Sequence, residues 1–420
     1  NDTFALPDIS SGAQATVIGK IRTDGIYSVK YQGDEIIHAR ACDITKGILY
    51  DRPYAARVKQ FSEPLLPAPS DFNAVLLELL SHENIASRAP LFEMYDKQVQ
   101  GRTVLEAGEA DAGVMQPFND DTYPIEIRHV GIALSLDQCP RYNKIDPYWG
   151  AVNAVVEAVR NVAAVGALPQ AITDCLCFGN PEKPEHMWEL TEAVRGIAEA
   201  CQAIGLKEYP GAALPVISGN VSLYNESKSG AIPASPMISC LGNLPDVKKV
   251  ITKNLQQTGS LLILIGERKD ECGGGVYYDL QGELGANVPK PDLRCIAAEI
   301  HALHDAIQQE LVLAAHDISE GGVAVAMAEM TFKHQIGVSI DIPGKLSNEK
   351  KLFGETGGFI LEVKQDQFTA LQKLFSHYQV PFFIIGKTLA QPTLKMQQCI
   401  DLSVLTAKQS WENGLREKLV

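Results

Sequence analysis

The stretch PVISGNVSLYNE, residues 215–226, brings several polar side chains directly to the end of an apolar run. Val216 and Ile217 are typical of the end of a buried strand, and Gly219 allows a turn or a close approach of the backbone to a ligand. The stretch then supplies carbonyl, hydroxyl and carboxylate oxygens from Asn220, Ser222, Asn225 and Glu226. These oxygens suit a metal ion and phosphate groups. The alternative is a strand-to-turn junction whose Asn and Ser side chains bond to their own backbone.

A second stretch, ITDCLCFGNPEKPE, places Asp174 at the end of a predicted strand, before a turn at residues 179–181. An isolated Asp at such a place is more often a cap than a ligand. If Asp174 and Asn220 end neighbouring strands, however, their oxygens converge at one edge of a sheet. That arrangement suits Mg²⁺ held by a few protein ligands together with phosphates, and it would favour the functional interpretation of both residues.

Two further loops leave apolar segments, where ligands commonly bind in mixed α/β folds. In NKIDPYWGA, Asp146 and Tyr148 precede a helix whose N-terminus favours an anion, although Asp-Pro is also an ordinary turn opener. The loop in AAHDISEGGVAVA leads through paired glycines into a helix, and Ser319 or Glu320 could simply cap that helix. The polar residues of this last loop are His316, Asp317, Ser319 and Glu320.

The common phosphate-binding and hydrolytic motifs are missing from the sequence. PFFIIGKT has Pro381 where a Walker A loop, GxxxxGK[ST], needs its first glycine. Neither HExxH nor GxSxG occurs. A phosphate-loop ATPase is therefore disfavoured.

The elements around these loops predict a mixed α/β protein. Residues 150–167 carry valines on helical spacing, and an apolar strand, a second helix and another strand follow. A second α+β unit begins near residue 259. FSEPLLPAPSDF, residues 61–72, is typical of a linker, and Asp71 can cap the helix after it. Residues 14–40 alternate as antiparallel hairpins do.

The composition is that of an ordinary globular protein, with 45% hydrophobic and 21% charged residues in a chain of 420. This length favours two or more domains. A net charge of −14 disfavours nucleic-acid binding through a broad basic surface, and no apolar run is long enough to span a membrane. The chain starts at Asn1 without a secretory signal, so we expect a piece of something longer.

Nine cysteines are scattered along the chain, and Cys175 and Cys177 form the one close pair. A CxC without a second Cys or His pair is a poor zinc signal, which favours buried free thiols. Reduced cysteines indicate the cytoplasm.

Three of these stretches, in this order and spacing, closely resemble the C-terminal half of phosphoribosylformylglycinamidine synthase, the formylglycinamide ribonucleotide amidotransferase of purine synthesis. They are DPYWGAVNAVVEAVRNVAAVGALPQAITDCLCFGNPEKPE, PVISGNVSLYNE and AAHDISEGGVAVAMAE. The resemblance runs from about residue 12 to 390. The family is similar to aminoimidazole ribonucleotide synthetase and binds ATP without a Walker loop.

The resemblance implies a C–N ligase that uses ATP and Mg²⁺ to amidate formylglycinamide ribonucleotide with glutamine-derived ammonia. By the same resemblance, Asp174 and Gly219 contact ATP, Asn220 binds Mg²⁺ and Ser222 contacts the substrate. The implied partners are the N-terminal half of the synthetase and a glutaminase domain or subunit, in the cytoplasm. The alternative is a non-catalytic half-synthetase, whose structural nucleotide site scaffolds the glutaminase.

Two departures from the family concern catalysis. The family's catalytic His lies in a His-rich segment of the first half, and the equivalent SLDQCPRYNKIDPY has no His. We therefore expect the catalytic His outside this chain. ECGGGVYY keeps a glycine-rich turn but has Val276 where Ser is often found.

The resemblance also implies the domain order. It predicts a ferredoxin-like N-terminal domain and an α/β C-terminal domain of the aminoimidazole ribonucleotide synthetase type. The expected boundaries are 1–60 for the tail of a preceding domain, 61–90 for a linker and helix, 91–245 for the ATP-binding and Mg²⁺-binding domain, and 246–420 for the C-terminal domain.

Overall fold

The computed structural model describes residues 15–47, 50–57 and 61–419. The start of the chain, NDTFALPDIS, and the predicted boundary at residue 60 lie outside the described residues. Contacts divide the chain into two units, Asn1–Arg52 and Pro53–Val420. The predicted domain boundaries remain predictions.

The first unit contains one antiparallel hairpin of strands β1 (Ile26–Tyr31) and β2 (Asp34–Arg40), followed by helix α1 (Ala41–Lys46). The chain reverses at Gln32 and Gly33, which both have positive φ, as tight hairpin turns require. The predicted hairpin is confirmed for these strands, whereas residues 15–25 form no strand.

The second unit begins with helices and the strands of its first sheet. The helices are α2 (Phe72–Ser81), α3 (Ala89–Phe92), α4 (Pro140–Ile145), α5 (Pro147–Ala164) and α6 (Pro184–Ile204). The strands are β3 (Thr103–Leu105), β4 (Gly113–Met115), β5 (Gly131–Asp137), β6 (Leu168–Cys177), β7 (Val216–Ser222), β8 (Glu226–Ser227), β9 (Gly230–Ala231) and β10 (Ser235–Leu244).

Six of these strands form one sheet in the order β3-β4-β5-β10-β6-β7. Helices α5 and α6 cover one face, where Ile238 and Cys240 of β10 are fully buried. Strand residues alternate between faces, and on β5 Leu134 and Leu136 are exposed while Ala133 is buried. We call the side away from the two helices the open face.

Strand β7 is an edge strand, and within the described part of the chain it pairs only with β6, in parallel. Val216 and Ile217 are 46% and 60% exposed, so the prediction that they end a buried strand was wrong. Apolar residues are equally compatible with a central strand and with an edge that the described chain leaves uncovered.

The predicted ferredoxin-like arrangement is not confirmed. A ferredoxin-like unit runs β-α-β-β-α-β along the chain. Here the order is β5-α5-β6-α6-β7, followed later by β10, which inserts between β5 and β6. The predicted order of helix, strand, helix and strand matches α5, β6, α6 and β7. The sequence pattern did not reveal that β10, later in the chain, would insert between β5 and β6.

The remaining elements build a second sheet and its helices. The strands are β11 (Leu261–Ile265), β12 (Ala314–Asp317), β13 (Gly337–Ile340), β14 (Phe359–Val363), β15 (Phe382–Leu389), β16 (Thr393–Met396) and β17 (Ile400–Ser403). The helices are α7 (Val276–Leu280), α8 (Ile296–Gln308), α9 (Gly322–Thr331), α10 (Asn348–Phe353), α11 (Phe368–Tyr378) and α12 (Val404–Leu419).

This second sheet is mixed, in the order β12-β14-β11-β15-β13-β16-β17, and has helices on both faces. Ile263 and Ile265 of β11 join one core with α8, α11 and α5, while Leu262 and Leu264 join another with α2, α9 and α12. Alternate side chains of β11 therefore enter two different cores, and this strand, buried on both faces, joins the helices on the two sides of the sheet.

Helix α2 closes the second core. Its N-cap is Asp71, as predicted, which accepts hydrogen bonds from the backbone N–H groups of Asn73 and Ala74. Leu76, Leu79 and Leu80 are its buried residues, whereas Ala74 is exposed. Among the described residues, no helix combines the length and the apolar character needed to cross a bilayer.

Candidate functional site

The polar stretches around Asp174 and Asn220 lie side by side on two paired strands. In the parallel register of β6 and β7, Asp174 lies opposite Gly219, Cys175 opposite Asn220 and Cys177 opposite Ser222. A Cβ atom on Gly219 would lie 2.1 Å from Oδ1 of Asp174. Residue 219 is therefore a glycine because the Asp174 carboxylate occupies the space that a side chain would need.

The same register separates Asp174 from Asn220. Asp174 lies opposite the buried Ile238 of β10, on the side covered by the helices. Asn220 is the next residue after Gly219 and so points to the open face, where its Nδ2 lies 3.9 Å from Sγ of Cys175. The expected convergence of the two oxygens on one ion is not found, because one residue along a strand reverses the face.

Asp174 carries an uncompensated, partly buried carboxylate. Burial raises its pKa above the ordinary value for Asp, and no neighbouring charge contributes to the shift. No ion pair to Asp174 is present among the described residues. A bound cation or a hydrogen-bond donor from a ligand would stabilise the ionised form.

The side chains of Asn220 and Ser222 differ in the hydrogen bonds that they make within the protein. The side chain of Asn220 is exposed, and its one hydrogen bond within the described chain is the long contact with Cys175. The Ser222 hydroxyl instead donates to Oδ1 of Asn225 at 3.2 Å. Asn225 also donates to the carbonyl oxygens of Phe178 and Ser222.

The end of the stretch fits the turn alternative. Asn225 is used by the local backbone, and the Glu226 carboxylate accepts from Nζ of Lys183 at 2.8 Å and from the backbone N–H of Asn180. The PVISGNVSLYNE stretch therefore divides into two parts. Asn220 is free to bind a ligand, whereas Asn225 and Glu226 hold the turn.

The predicted anion loop at Asp146 is a helix cap. The Asp146 carboxylate accepts from the backbone N–H groups of Tyr148 and Trp149 at the start of α5. The Tyr148 hydroxyl donates to Glu199. The Asp146 carboxylate itself takes the place of an anion at this helix start, since the first N–H groups of α5 already have an acceptor.

The loop around His316 contains a buried cluster of charges that the sequence only partly indicated. Nδ1 of His316 lies 2.8 Å from Oδ1 of Asp111, and its Nε2 lies 3.3 Å from the Glu329 carboxylate. Glu329 also pairs with Nζ of Lys253 at 2.6 Å. The backbone N–H of Asp317 donates to Asp111. We call these five residues the His316 cluster.

The pKa values in the His316 cluster reflect its ion pairs at His316 and Glu329. Burial lowers the pKa of His316, but Asp111 and Glu329 outweigh it and raise that pKa to about 10. Burial raises the pKa of Glu329, and Lys253 and His316 outweigh it and lower that pKa to about 2. Burial and Asp111 raise the pKa of Asp317 to about 7.

The His316 cluster is also the place where three possible metal ligands meet. The ligand atoms of Asp111, His316 and Asp317 lie within 4.8 Å of one another. Mg²⁺ prefers oxygen ligands, so the imidazole does not suit that ion. The contacts of the cluster within the described chain are ion pairs that link β12 to α9.

The capping role considered for Ser319 or Glu320 is not found. The N-cap of α9 is Gly321, with φ of 78° and no side-chain cap. Its N–H donates instead to the carboxylate of Glu355, which also accepts from the backbone N–H of Val276 and the hydroxyl of Tyr142. The glycine-rich turn at Val276 is thus held by a carboxylate.

Sequence reasoning missed Asp111, Glu329 and Glu355. None of the three follows an apolar strand or belongs to a motif with a known spacing. Glu329 lies inside a helix and Asp111 in a loop far from His316 along the chain. An acidic residue within the apolar run GGVAVAMAEM was the one available signal.

Two family models match the chain in order. Residues 111–244 match the AIR synthase related protein N-terminal domain, and residues 257–398 match its C-terminal domain. The first match covers most of the six-stranded sheet, and the second covers most of the seven-stranded one. Together they define the class of protein: an AIR synthase related protein with both of its domains.

Within this class, the chain is most informatively compared with individual relatives of known name. The chain is 41% identical over 425 residues to phosphoribosylformylglycinamidine synthase subunit PurL of Methanothrix thermoacetophila, covering 100% of this chain and 54% of that protein. It is 36% identical to the same subunit of Deinococcus radiodurans, covering 95% and 54%. The chain spans about half the length of the curated relatives it matches.

Solved structures show the same fold at low identity. Thermotoga maritima PurL complexed with FGAR aligns with a TM-score of 0.64 at 17% identity, covering 81% of this chain and 54% of that one. The structure of PurLQS from the same organism aligns with a TM-score of 0.60 at 17% identity, over 81% and 52%. The chain belongs to the AIR synthase related family, within its phosphoribosylformylglycinamidine synthase PurL branch.

Proposed function

We propose that this chain supplies part of the active site for the ATP-dependent amidation of formylglycinamide ribonucleotide to formylglycinamidine ribonucleotide, with glutamine-derived ammonia, in purine biosynthesis. Membership in the PurL branch supports this reaction, and the chain's partial coverage of its relatives supports a shared site. The observation that carries the proposal is the Asp174–Gly219 pair. It leaves a partly buried carboxylate without a protein cation, beside an exposed Asn220.

The proposed roles follow from the two faces of the strand pair. Asp174 and Gly219 would contact ATP from the helix-covered side, and Asn220 would bind Mg²⁺ through its carboxamide oxygen on the open face. A ligand that uses both must pass around the edge strand β7. Such a path is sterically possible because the residues of β7 are exposed.

The Asn220 carboxamide fits Mg²⁺ chemically. Mg²⁺ takes oxygen ligands and commonly uses only one or two protein groups together with phosphates and water. ATP would activate the substrate amide oxygen as a phosphate ester before ammonia attacks the amide carbon. The contribution of this chain would be to hold phosphates and to orient substrate through Ser222, which requires positioning rather than a protein nucleophile.

The exposed apolar side chains of the open face favour the binding of a partner there. Met115, Leu134 and Leu136 leave apolar side chains exposed on the sheet whose edge carries Asn220. Exposed apolar surface of this kind marks an interaction site. We propose that the N-terminal half of the synthetase covers it and brings the catalytic His, and that a glutaminase domain or subunit supplies ammonia in the cytoplasm. Neither nucleic acid nor a membrane takes part.

The proposal is tested by a steady-state assay of the chain with ATP, Mg²⁺, formylglycinamide ribonucleotide and ammonium salt. We expect no formylglycinamidine product from the chain alone, and product when the first half is added. Turnover by the chain alone at the rate of an intact synthetase would show that no further half is required. No product with both halves present, together with ADP that stays bound through dialysis, would favour the non-catalytic alternative.

A further inference from the structure

The open face next to Asn220 carries three sulfur atoms that the proposed reaction does not use. Cys175 and Cys177 lie two residues apart on β6 and therefore share this face. Met237 lies directly opposite Cys175 in the antiparallel register with β10. All three side chains are half-buried, not enclosed in the core.

The two thiols are already close. Their Sγ atoms lie 3.7 Å apart, whereas two thiolates on one metal ion with bonds of about 2.3 Å lie about 3.8 to 4.0 Å apart at tetrahedral or trigonal angles. A cation between the two sulfurs would balance the negative charge of their thiolate forms.

A direct disulfide fits this pair less well than a bridging ion. Residues two apart in a strand have Cα atoms about 6.6 Å apart, near the upper limit of about 6.8 Å for a disulfide. Joining the sulfurs directly would require the strand to bend, whereas a single ion between them requires only small rotations of the side chains.

Met237 determines the kind of ion. Residues directly opposite on antiparallel strands have Cβ atoms about 5 Å apart, so the flexible Met237 side chain can reach an ion held by Cys175. Thiolate and thioether sulfurs together select soft ions such as monovalent copper, while zinc would need further nitrogen or thiolate ligands.

We propose that Cys175, Cys177 and Met237 form a binding site for one monovalent copper ion on the open face of the sheet. Binding leaves copper in its monovalent state. The two thiols lose their protons to the buffer as the two copper–sulfur bonds form, and the Met237 thioether completes a three-sulfur set.

The test is an anaerobic competition for Cu(I) between the chain and bicinchoninate, followed by the colour of the chelator. We expect the wild-type chain to withdraw one equivalent. Cys175→Ser with Cys177→Ser should lower the affinity by more than about tenfold, because even indirect changes at metal sites cost that much. Cys201→Ala, which removes a buried thiol on helix α6, should bind like wild type.

Met237→Leu is the sharper variant, because this swap conserves volume and is well tolerated in packed regions. It should weaken Cu(I) binding, whereas Met115→Leu on the same open face should not. The site would be overturned if the double Ser variant binds like wild type, or if Met237→Leu matches Met115→Leu.

A second consequence rests on the proposed function. Asn220 lies 3.9 Å from Cys175, so a bound copper ion should displace its side chain and inhibit amidation by the assembled halves, with no inhibition in Met237→Leu at a copper level that only wild type binds. Copper binding without inhibition would refute the role of Asn220 and leave the copper site intact. Inhibition without direct binding would refute the copper site.

Discussion

The Asp174–Asn220 strand pair and the His316 cluster hold similar side chains in opposite electrostatic states. In the His316 cluster Glu329 pairs with both His316 and Lys253, and His316 also pairs with Asp111. In the strand pair, the pKa of Asp174 is raised by burial alone and Asn220 is exposed. The difference separates groups that stabilise the fold from groups that are left to bind a ligand.

The physical basis of this contrast is desolvation. A buried charge is tolerated when an opposite charge and hydrogen bonds replace water, and removing one partner leaves the other uncompensated. An exposed or partly buried group keeps water until a ligand displaces it. Variants in the first region should therefore change stability, and variants in the second should change activity.

The largest effect is expected for Glu329→Gln. This change leaves Lys253 and His316 without their shared carboxylate, and breaking such a buried pair costs about 3 to 5 kcal/mol of unfolding free energy. Chemical denaturation measures the loss. Glu412→Gln, at an exposed pair with Lys408, is the matched control and should change stability by less than about 1 kcal/mol. Equal small losses in both variants would contradict a self-compensated cluster.

Asn220→Ala should lower the turnover rate and leave stability nearly unchanged. If its carboxamide binds Mg²⁺ beside the ATP phosphates, turnover of the assembled synthetase should fall by about 10² to 10³, with at best partial rescue by higher Mg²⁺. Thermal unfolding should change little. Asn225→Ala, in the same stretch, should instead cost about 1 kcal/mol of stability and leave turnover near wild type. A destabilised but fully active Asn220→Ala enzyme would refute the metal-ligand role.

Gly219→Ala tests the close approach of Asp174. The new Cβ would overlap Oδ1 of Asp174, and a carboxylate displaced by about 1 Å can cost up to about 10² in turnover. Gly113→Ala on β4 of the same sheet is the control, because its Cβ would meet only an ordinary contact at 3.9 Å. Steady-state kinetics should show a raised KM for ATP in the first variant alone. Indistinguishable kinetics in the two variants would remove Asp174 from the site.

The last prediction concerns the pH dependence of stability. The folded pKa of His316 is raised to about 10 from an unfolded value near 6.5, so its contribution is complete below about pH 6.5 and is lost as the pH rises to 10. Glu329, with its pKa lowered to about 2, contributes above about pH 4.3 and loses its contribution as the pH falls to 2.

Melting temperatures of wild type and His316→Gln, measured from pH 6 to 10, check this dependence. The decline toward pH 10 should be shallower in the variant. Parallel curves would show that His316 is not the protonated partner of Asp111 and Glu329.

Several features of the fold were determined by the sequence alone. The valine spacing of α5 predicted the helix, the Asp71 cap predicted the start of α2, and the apolar run after α5 predicted β6. These features are local, because side-chain periodicity and capping act within a few residues. The missing Walker loop and the family resemblance were also legible without a structure.

Only the tertiary structure decided which polar residues share a face. One residue of register places Asp174 toward the helices and Asn220 toward the open face, and no periodicity within either strand encodes that pairing. Similarly, Asp111 and Glu329 meet at His316 from separate parts of the chain. Strand order, register and burial arise from contacts between distant segments, and those contacts turned one group of similar side chains into a stabilising cluster and left the other open to a ligand.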